Sequence, residues 1–370
     1  MFLLVFTGTF VLALVPILAM SLLSKRKNQF PVTGRTVILT GASQGMGRGV
    51  AKLLAQKGAN VAIVARDLKK LDAALEYIRQ AAASSPSQRF IRISADLTKY
   101  EENIRVIEEV TKWNGGQPPD IVWAIAGTSI PKLFLDADIK TLRDQMDINY
   151  WAGAFMAQAS LKAWFGPYID SYSAPPPDPK AAAKSKEKPP PRHVILTSSS
   201  AAFVGVTGYG IYSPPKAALR SLCDNVQSEL NLYHGAFASR PSSTLIPQVK
   251  IHTVFPGNIS SPGHAAEDLI KHPVTFALEK DDPMQSEDEV AAAAVAGLER
   301  GDYLIMTNWL GHLMRWGTMS GSPRNGWGLL DTVMSWIVNV AWLFIGPDME
   351  RTVWKWGKAN GIYGKDGRKG

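Results

Sequence analysis

A serine at a strand end, a tyrosine thirteen residues later and a lysine one helical turn beyond it can together move a proton. Ser199, Tyr212 and Lys216 stand in this order in LTSSSAAFVGVTGYGIYSPPKAALR. Reducing a ketone by hydride requires a proton donor for the developing alkoxide, and a tyrosine near its ordinary value of about 10 is too weak an acid at neutral pH. A nearby lysine cation favours the phenolate and draws that value down. In this reading Tyr212 gives the proton, Lys216 tunes it and Ser199 holds the substrate oxygen. Ser198 and Ser200 flank Ser199, so the serine assignment can slip by one.

Pro214 and Pro215 fall between the tyrosine and the lysine. A proline in a helix interior costs roughly 3 kcal/mol, but the first turn has no intrahelical partner for its N–H groups. The spacing therefore predicts a helix start here, with Ser213 as N-cap and Pro214 at the first helical position.

The chemistry needs a hydride source, and the stretch TGASQGMGRGVAKLLAQKG offers a place for one. Gly41, Gly45 and Gly47, with Ser43 and Gln44 inside the turn, sit where a strand gives way to an amphipathic helix. Such glycines let the backbone approach a pyrophosphate, and the helix N-terminus supplies N–H groups and a positive dipole. At the end of the second strand, VARDLKKL presents Arg66 and Lys70 where an NAD site would offer a carboxylate. A guanidinium fits a 2′-phosphate bidentately, so NADPH is expected, while the adjacent Asp67 keeps NADH open. In SADLT, with Leu97 beside it, Asp96 can receive the adenine amino group or cap the next helix. Tyr212 and Lys216 would then also face the cofactor, the lysine at the nicotinamide ribose hydroxyls.

These residues need a frame that brings strand ends together. Short β-branched runs alternate with helical periodicity: RTVILT, NVAIVA, RFIRIS, DIVWAIA, HVILTS, VKIHTVF and YLIMT. That alternation predicts an α/β fold, a doubly wound parallel sheet of seven strands, Rossmann-like, with ligands at the carboxyl ends of the strands. The segment 173–192 is rich in Pro, Lys and Ala and has too little apolar surface to offset its ordering entropy, so a disordered loop is expected. The stretch 234–248 reads the same way, more mildly.

From about residue 34 to 307 the chain resembles the short-chain dehydrogenase/reductase family, which shares TGxxxGxG, an asparagine on the fourth helix, and Ser, Tyr and Lys in this order. Asn149 in MDINYWAG matches the asparagine, and the resemblance implies that it holds a water relaying protons to Lys216. Pro256, Gly257 and Ile259 of FPGNISSPG would lie beside the nicotinamide carboxamide. The family's NNAG is here AIAG (124–127), a departure that puts strand-end hydrogen bonds there in doubt. Within the family the sequence is most similar to fungal 3-ketodihydrosphingosine reductases. That likeness implies NADPH-dependent reduction of 3-ketodihydrosphingosine (3-dehydrosphinganine), a long-chain amino ketone, to dihydrosphingosine in the endoplasmic reticulum membrane. The alternatives are a membrane-bound 3-ketoacyl-CoA, steroid or retinoid oxidoreductase, and a non-catalytic nucleotide-binding scaffold. The amphipathic stretch HAAEDLIKHPVTFALEK could cover a lipid chain or be a plain surface helix.

The formal charge of +8 gathers at Lys25–Lys27, in 175–192 and in 347–370, leaving the remainder near neutral, which argues against nucleic acid and mildly against an acyl-CoA. One cysteine, Cys223, excludes an internal disulfide, and six scattered histidines show no metal-ligand spacing. Residues 2–23 carry no charge and precede a basic run, so a retained transmembrane anchor (1–24) is expected, with everything after it cytosolic. A reductase domain (33–308) and a membrane-associated region (309–370) would follow. In that region 327–346 carries Asp331 and Asn339, and its crossing would move a basic tail to the lumen. Embedding without crossing, in contact with membrane lipids, is favoured. A homo-oligomer is left open.

Overall fold

The computed structural model describes residues 27–83, 87–170, 190–238, 248–319, 321–326 and 328–364. The expected anchor and nearly all of the 173–192 insertion lie outside these; the last insertion residue, Arg192, opens a strand.

All seven expected strands form, within a residue or two of their predicted ends. They are β1 (Thr36–Thr40), β2 (Asn60–Ala65), β3 (Phe90–Ser94), β4 (Ile121–Ala124), β5 (Arg192–Thr197), β6 (Val249–Phe255) and, past the short β7 (Asn258–Ile259) and β8 (Met284–Gln285), β9 (Leu304–Met306). They pair in parallel in the order β3-β2-β1-β4-β5-β6-β9. The order reverses between β1 and β4, which makes a crevice at their carboxyl ends.

The period-2 alternation of the strands divides the core into two layers. Ile38, Val64, Val122 and Leu196 face one side, with Val106 of α3 (Tyr100–Trp113), Met156 of α5 (Ala152–Asp170) and Leu219 of α6 (Ser213–Ala238). Leu39, Ile63, Trp123 and Ile195 face the other, with Leu54 of α1 (Gly45–Gln56), Leu71 of α2 (Leu68–Ala81) and Val295 of α9 (Glu287–Arg300). Burying each such large side chain contributes about 1.5–3 kcal/mol, so both faces hold the sheet rigid beneath its loops.

Three local expectations shift. The 234–248 stretch is helical as far as Ala238, the end of α6, and 239–247 lie outside the described residues. The 264–280 stretch is not one helix: α7 (Pro262–Asp268) and α8 (Pro273–Glu279) are separated where Pro273 cannot continue the first. Ser213 does not cap α6 but belongs to its first turn, its N–H donating to Tyr209 O at 2.9 Å. Pro214 and Pro215 still fall where no intrahelical donor is needed.

His193 and His252 sit side by side in the core, on adjacent strands. His252 Nδ1–H donates to Asp302 O (2.8 Å), which leaves its Nε2 to accept from His193 Nδ1–H (3.0 Å) and His193 Nε2 without a partner. Burial holds both below the usual histidine value, His252 at about 4, so both are neutral. The unfolded chain takes up protons from about pH 6.5 downward, before the folded one does. Their stabilising contribution is therefore complete above 6.5 and is lost as pH falls toward 4, by about 3 kcal/mol for His252 alone. Denaturant titrations at pH 7 and 4.5 are expected to show this loss, and His193→Leu to remove only its own share, leaving the His252 part in place.

The chain ends in α10 (Trp309–Gly317) and the long α11 (Leu329–Asn360), which is long and apolar enough to cross a membrane. Asp331 is not a charge in its apolar run. It is buried at the first turn, where both of its oxygens pair with Arg315 and it also accepts from Trp316 Nε1 (2.9 Å) and Asn325 N (2.9 Å). Asn339 is satisfied by Ser335 O one turn back. Trp336, Ile337, Val340, Leu343 and Phe344 recur at helical spacing along one exposed face.

Candidate active site

At the carboxyl ends of the strands a cavity of about 430 Å³ runs from the glycine turn to α7 and α8. Every residue expected of the site except Asn149 lines it, and Asn149 lies one layer behind.

The glycine turn is tight for stated reasons. Gly41 has φ +64°, and a Cβ on it would stand 2.7 Å from Ala126 Cα; a Cβ on Gly47 would stand 2.3 Å from Gly41 O. Thr40 Oγ1 accepts from both Ile125 N (3.0 Å) and Ala126 N (3.1 Å). The strand-end bonds of AIAG thus come from backbone donors, and Ala124 and Ile125 serve as well as asparagines for this purpose. From the far side, Glu287 accepts from Gly45 N (2.8 Å) and Arg48 Nε (3.0 Å), bracing the turn against α9.

At the end of β2, Arg66 is exposed toward the cavity and Lys70 Nζ donates to Gln44 Oε1 (3.2 Å). Asp67 is engaged as the N-cap of α2, accepting from Lys70 N (3.1 Å). One oxygen of the carboxylate that kept NADH open is therefore engaged by the helix, while the exposed Arg66 beside it faces the cavity. Asp96 does not cap α3, whose N-cap is Lys99; it holds the preceding turn through Thr98 N and Oγ1. Leu97 is buried beside it, and Ile259 is fixed by pairing with Gln285.

The catalytic set converges. Ser198 is spent on structure, its hydroxyl donating to Lys216 O (2.7 Å), so of the flanked serines Ser199 is the one whose hydroxyl faces the Tyr212 phenol. Lys216 is buried, with Nζ donating to Thr197 O (3.2 Å) and lying 5.8 Å from the Tyr212 ring centroid. Asn149 sits in a π turn (Asp147–Trp151) of the kind often found at functional sites. It is pinned by Thr128 N (3.2 Å), Thr128 O (2.8 Å) and Gln145 Oε1 (3.2 Å). A Cβ on Gly127 would lie 2.9 Å from both Asn149 Oδ1 and Lys216 Nζ, so the bare glycine leaves the space between them free.

One expectation reverses. Burial raises the Tyr212 phenol above its ordinary value; Ser199 works against the rise and Glu267 adds to it. Burial also lowers Lys216 to about 8. In the protein alone the lysine does not draw the phenol down, because it is desolvated and turned toward Thr197 O and Asn149. Both groups still carry their protons at pH 7.

Sequence reasoning missed Ser129, Glu267, Glu279 and Asp282, which also line the cavity. The signal was present as an acidic stretch directly after FPGNISSPG.

A family model described as short chain dehydrogenase matches residues 35–167. A 3-ketodihydrosphingosine reductase, ksrA, of Aspergillus fumigatus is 46% identical over 91% of this chain and 88% of its own length. Another, gsl-3 of Neurospora crassa, is 42% identical over 95% and 90%. Among solved structures, a short chain dehydrogenase/reductase of Burkholderia phymatum in complex with NAD superposes with TM-score 0.57 at 16% identity, covering 75% of this chain and 90% of that one. A short-chain dehydrogenase of Sphingobium yanoikuyae in complex with NADPH gives 0.54 at 19%, covering 74% and 87%. At those identities the structures speak for the fold alone.

Proposed function

The chain belongs to the short-chain dehydrogenase family, and from that premise we propose that it reduces 3-ketodihydrosphingosine to dihydrosphingosine with NADPH. The observation that carries the reading is the convergence of Ser199, Tyr212 and Lys216 on one cavity with the glycine turn, together with the two reductases it resembles over nearly their whole length. The residues present fit the nucleotide: a turn that only glycine can make, a helix N-terminus behind it, and Arg66 and Lys70 free of a competing carboxylate. When bound, NADPH supplies the hydride. Arg66 and Lys70 would hold the 2′-phosphate, and Ile259 would lie beside the carboxamide. Ser199 orients the ketone oxygen, Tyr212 gives it a proton, and Lys216 with Asn149 behind it restores that proton.

The reading includes a membrane seat at the endoplasmic reticulum, with residues 1–24 as anchor and the reductase domain on the cytosolic side. The exposed apolar face of α11 supports contact with lipid. Asp331, buried in its pair with Arg315, ties the first turn of this helix to α10, which favours an embedded helix over a crossing one.

The test is NADPH oxidation by the full chain in mixed micelles with 3-ketodihydrosphingosine, a 3-ketoacyl-CoA and a ketosteroid. Turnover of the amino ketone alone is expected. Turnover of only another ketone discards the sphingoid substrate and keeps the reduction, whereas NADPH binding without any turnover leaves a scaffold.

A further inference from the structure

The end of the cavity away from Arg66 and Lys70 is acidic, and its charges do not balance. Lys271, buried, pairs with Asp268 (3.0 Å) and Glu279 (2.9 Å), and His264 Nε2 lies 3.6 Å from Asp268. Glu279 also faces the Tyr209 hydroxyl. Glu267 and Asp282 line the cavity too, yet among the described residues neither has an ion-pair partner. Burial raises both carboxyls, Glu267 to about 7 and Asp282 to about 6; neighbouring carboxylates add to this and Lys271 only partly offsets it. A carboxylate in that position gains most from a cation delivered by a ligand.

Ser129 gives an independent sign of a ligand. It is 8% exposed, lines the same cavity, and its Oγ is buried with no partner within 3.5 Å, although it is placed to steady the Glu267 carboxylate. An unmatched hydroxyl in a polar cavity has a free energy cost until something fills it. The Ser129 hydroxyl favours the Glu267 carboxylate, and Glu267 in turn raises the Tyr212 phenol. Glu267, Ser129, Ser199 and Tyr212 line one cavity, which therefore suits a ligand that carries a cationic group near the carbon whose oxygen Tyr212 protonates. The nucleotide, an anion, is held at the opposite end.

We propose that Glu267 is the specificity residue for the substrate's ammonium group beside the ketone, with Ser129 taking the neighbouring hydroxyl. This rests on the amino ketone reading above. The ammonium and the half-buried carboxylate, which has no ion-pair partner among the described residues, form a charge-assisted hydrogen bond, and a neutral amide in the ammonium's place is rejected.

The test compares kcat/KM for 3-ketodihydrosphingosine with that for its N-acetyl derivative, which keeps the ketone, chain and hydroxyl but has no cation. The wild-type chain is expected to prefer the amine by at least about tenfold, Glu267→Gln to bring that ratio close to one, and Glu267→Asp to retain most of it. A wild-type ratio near one overturns the proposal without any variant, so a misfolded Glu267→Gln does not shelter it. Equal losses on both ketones in Glu267→Gln, with the ratio preserved, overturn it as well. A wild-type chain that turns over neither ketone but reduces another instead refutes the substrate reading, and this inference falls with it.

Discussion

Tyr212→Phe lowers kcat on the ketone by about 10²–10⁴-fold while NADPH still binds, because the variant removes one hydroxyl and leaves the half-buried ring in place. Single-turnover NADPH oxidation and quenching of tryptophan fluorescence by NADPH separate the two effects. A companion pH profile identifies the tuning group. Lys216 sits at about 8 in the protein without nucleotide, so kcat/KM is expected to fall above that pH as its cation is lost. Stability moves the other way. Between about 8 and the unfolded value of 10.5 the unfolded chain holds more protons than the folded one, so stability of the protein without nucleotide rises with pH in that window. Opposite signs distinguish titration of Lys216 from alkaline unfolding, in which activity and stability would fall together.

Gly41→Ala is expected to abolish NADPH binding and to destabilise the fold by several kcal/mol, read by isothermal titration and by thermal unfolding. Two independent costs combine at this residue. An alanine at φ +64° is strained by roughly 1–2 kcal/mol, and its Cβ would stand 2.7 Å from Ala126 Cα, a backbone atom that the Thr40 hydroxyl holds through the adjoining N–H. Gly115 offers the control, with φ +66° and nothing within 4 Å of the added carbon. Gly115→Ala should show the strain alone. If the two variants unfold at the same temperature, the close approach of β1 and β4 carries no energetic weight.

The sheet was legible because its strands are short β-branched runs between amphipathic stretches, and periodicity reports a buried parallel strand directly. The catalytic trio and the glycine turn were legible because each depends on a spacing within one strand–turn–helix unit. Asp67 was ambiguous from its neighbours alone; only the helix that begins at Leu68 shows that its carboxylate is already engaged. Glu267 and Ser129 are 138 positions apart and meet only through the fold, so no local pattern joins them. The direction of the Tyr212 shift was misread for a related reason. Spacing places a lysine near a phenol, but burial, which here outweighs their attraction, is set by residues far away in the chain.

The far end of α11 is fastened to the wall of the cavity. His272 Nε2–H donates to Ile362 O (2.7 Å) beside α8, and the Tyr363 hydroxyl donates to Asp136 Oδ1 (2.8 Å). Thr275 of α8 in turn donates to Thr207 O (2.7 Å), in the turn that leads to Tyr212. The helix with the exposed apolar face is thus continuous with the substrate side of the cavity. With the membrane seat proposed above, a ketone dissolved in lipid and entering along that face would arrive by diffusion in a plane, and the quantity that sets its encounter rate would be a surface density. Inert phospholipid added at constant total substrate then slows the reaction by dilution, and doubling the vessel volume at constant lipid composition leaves turnover per protein molecule unchanged.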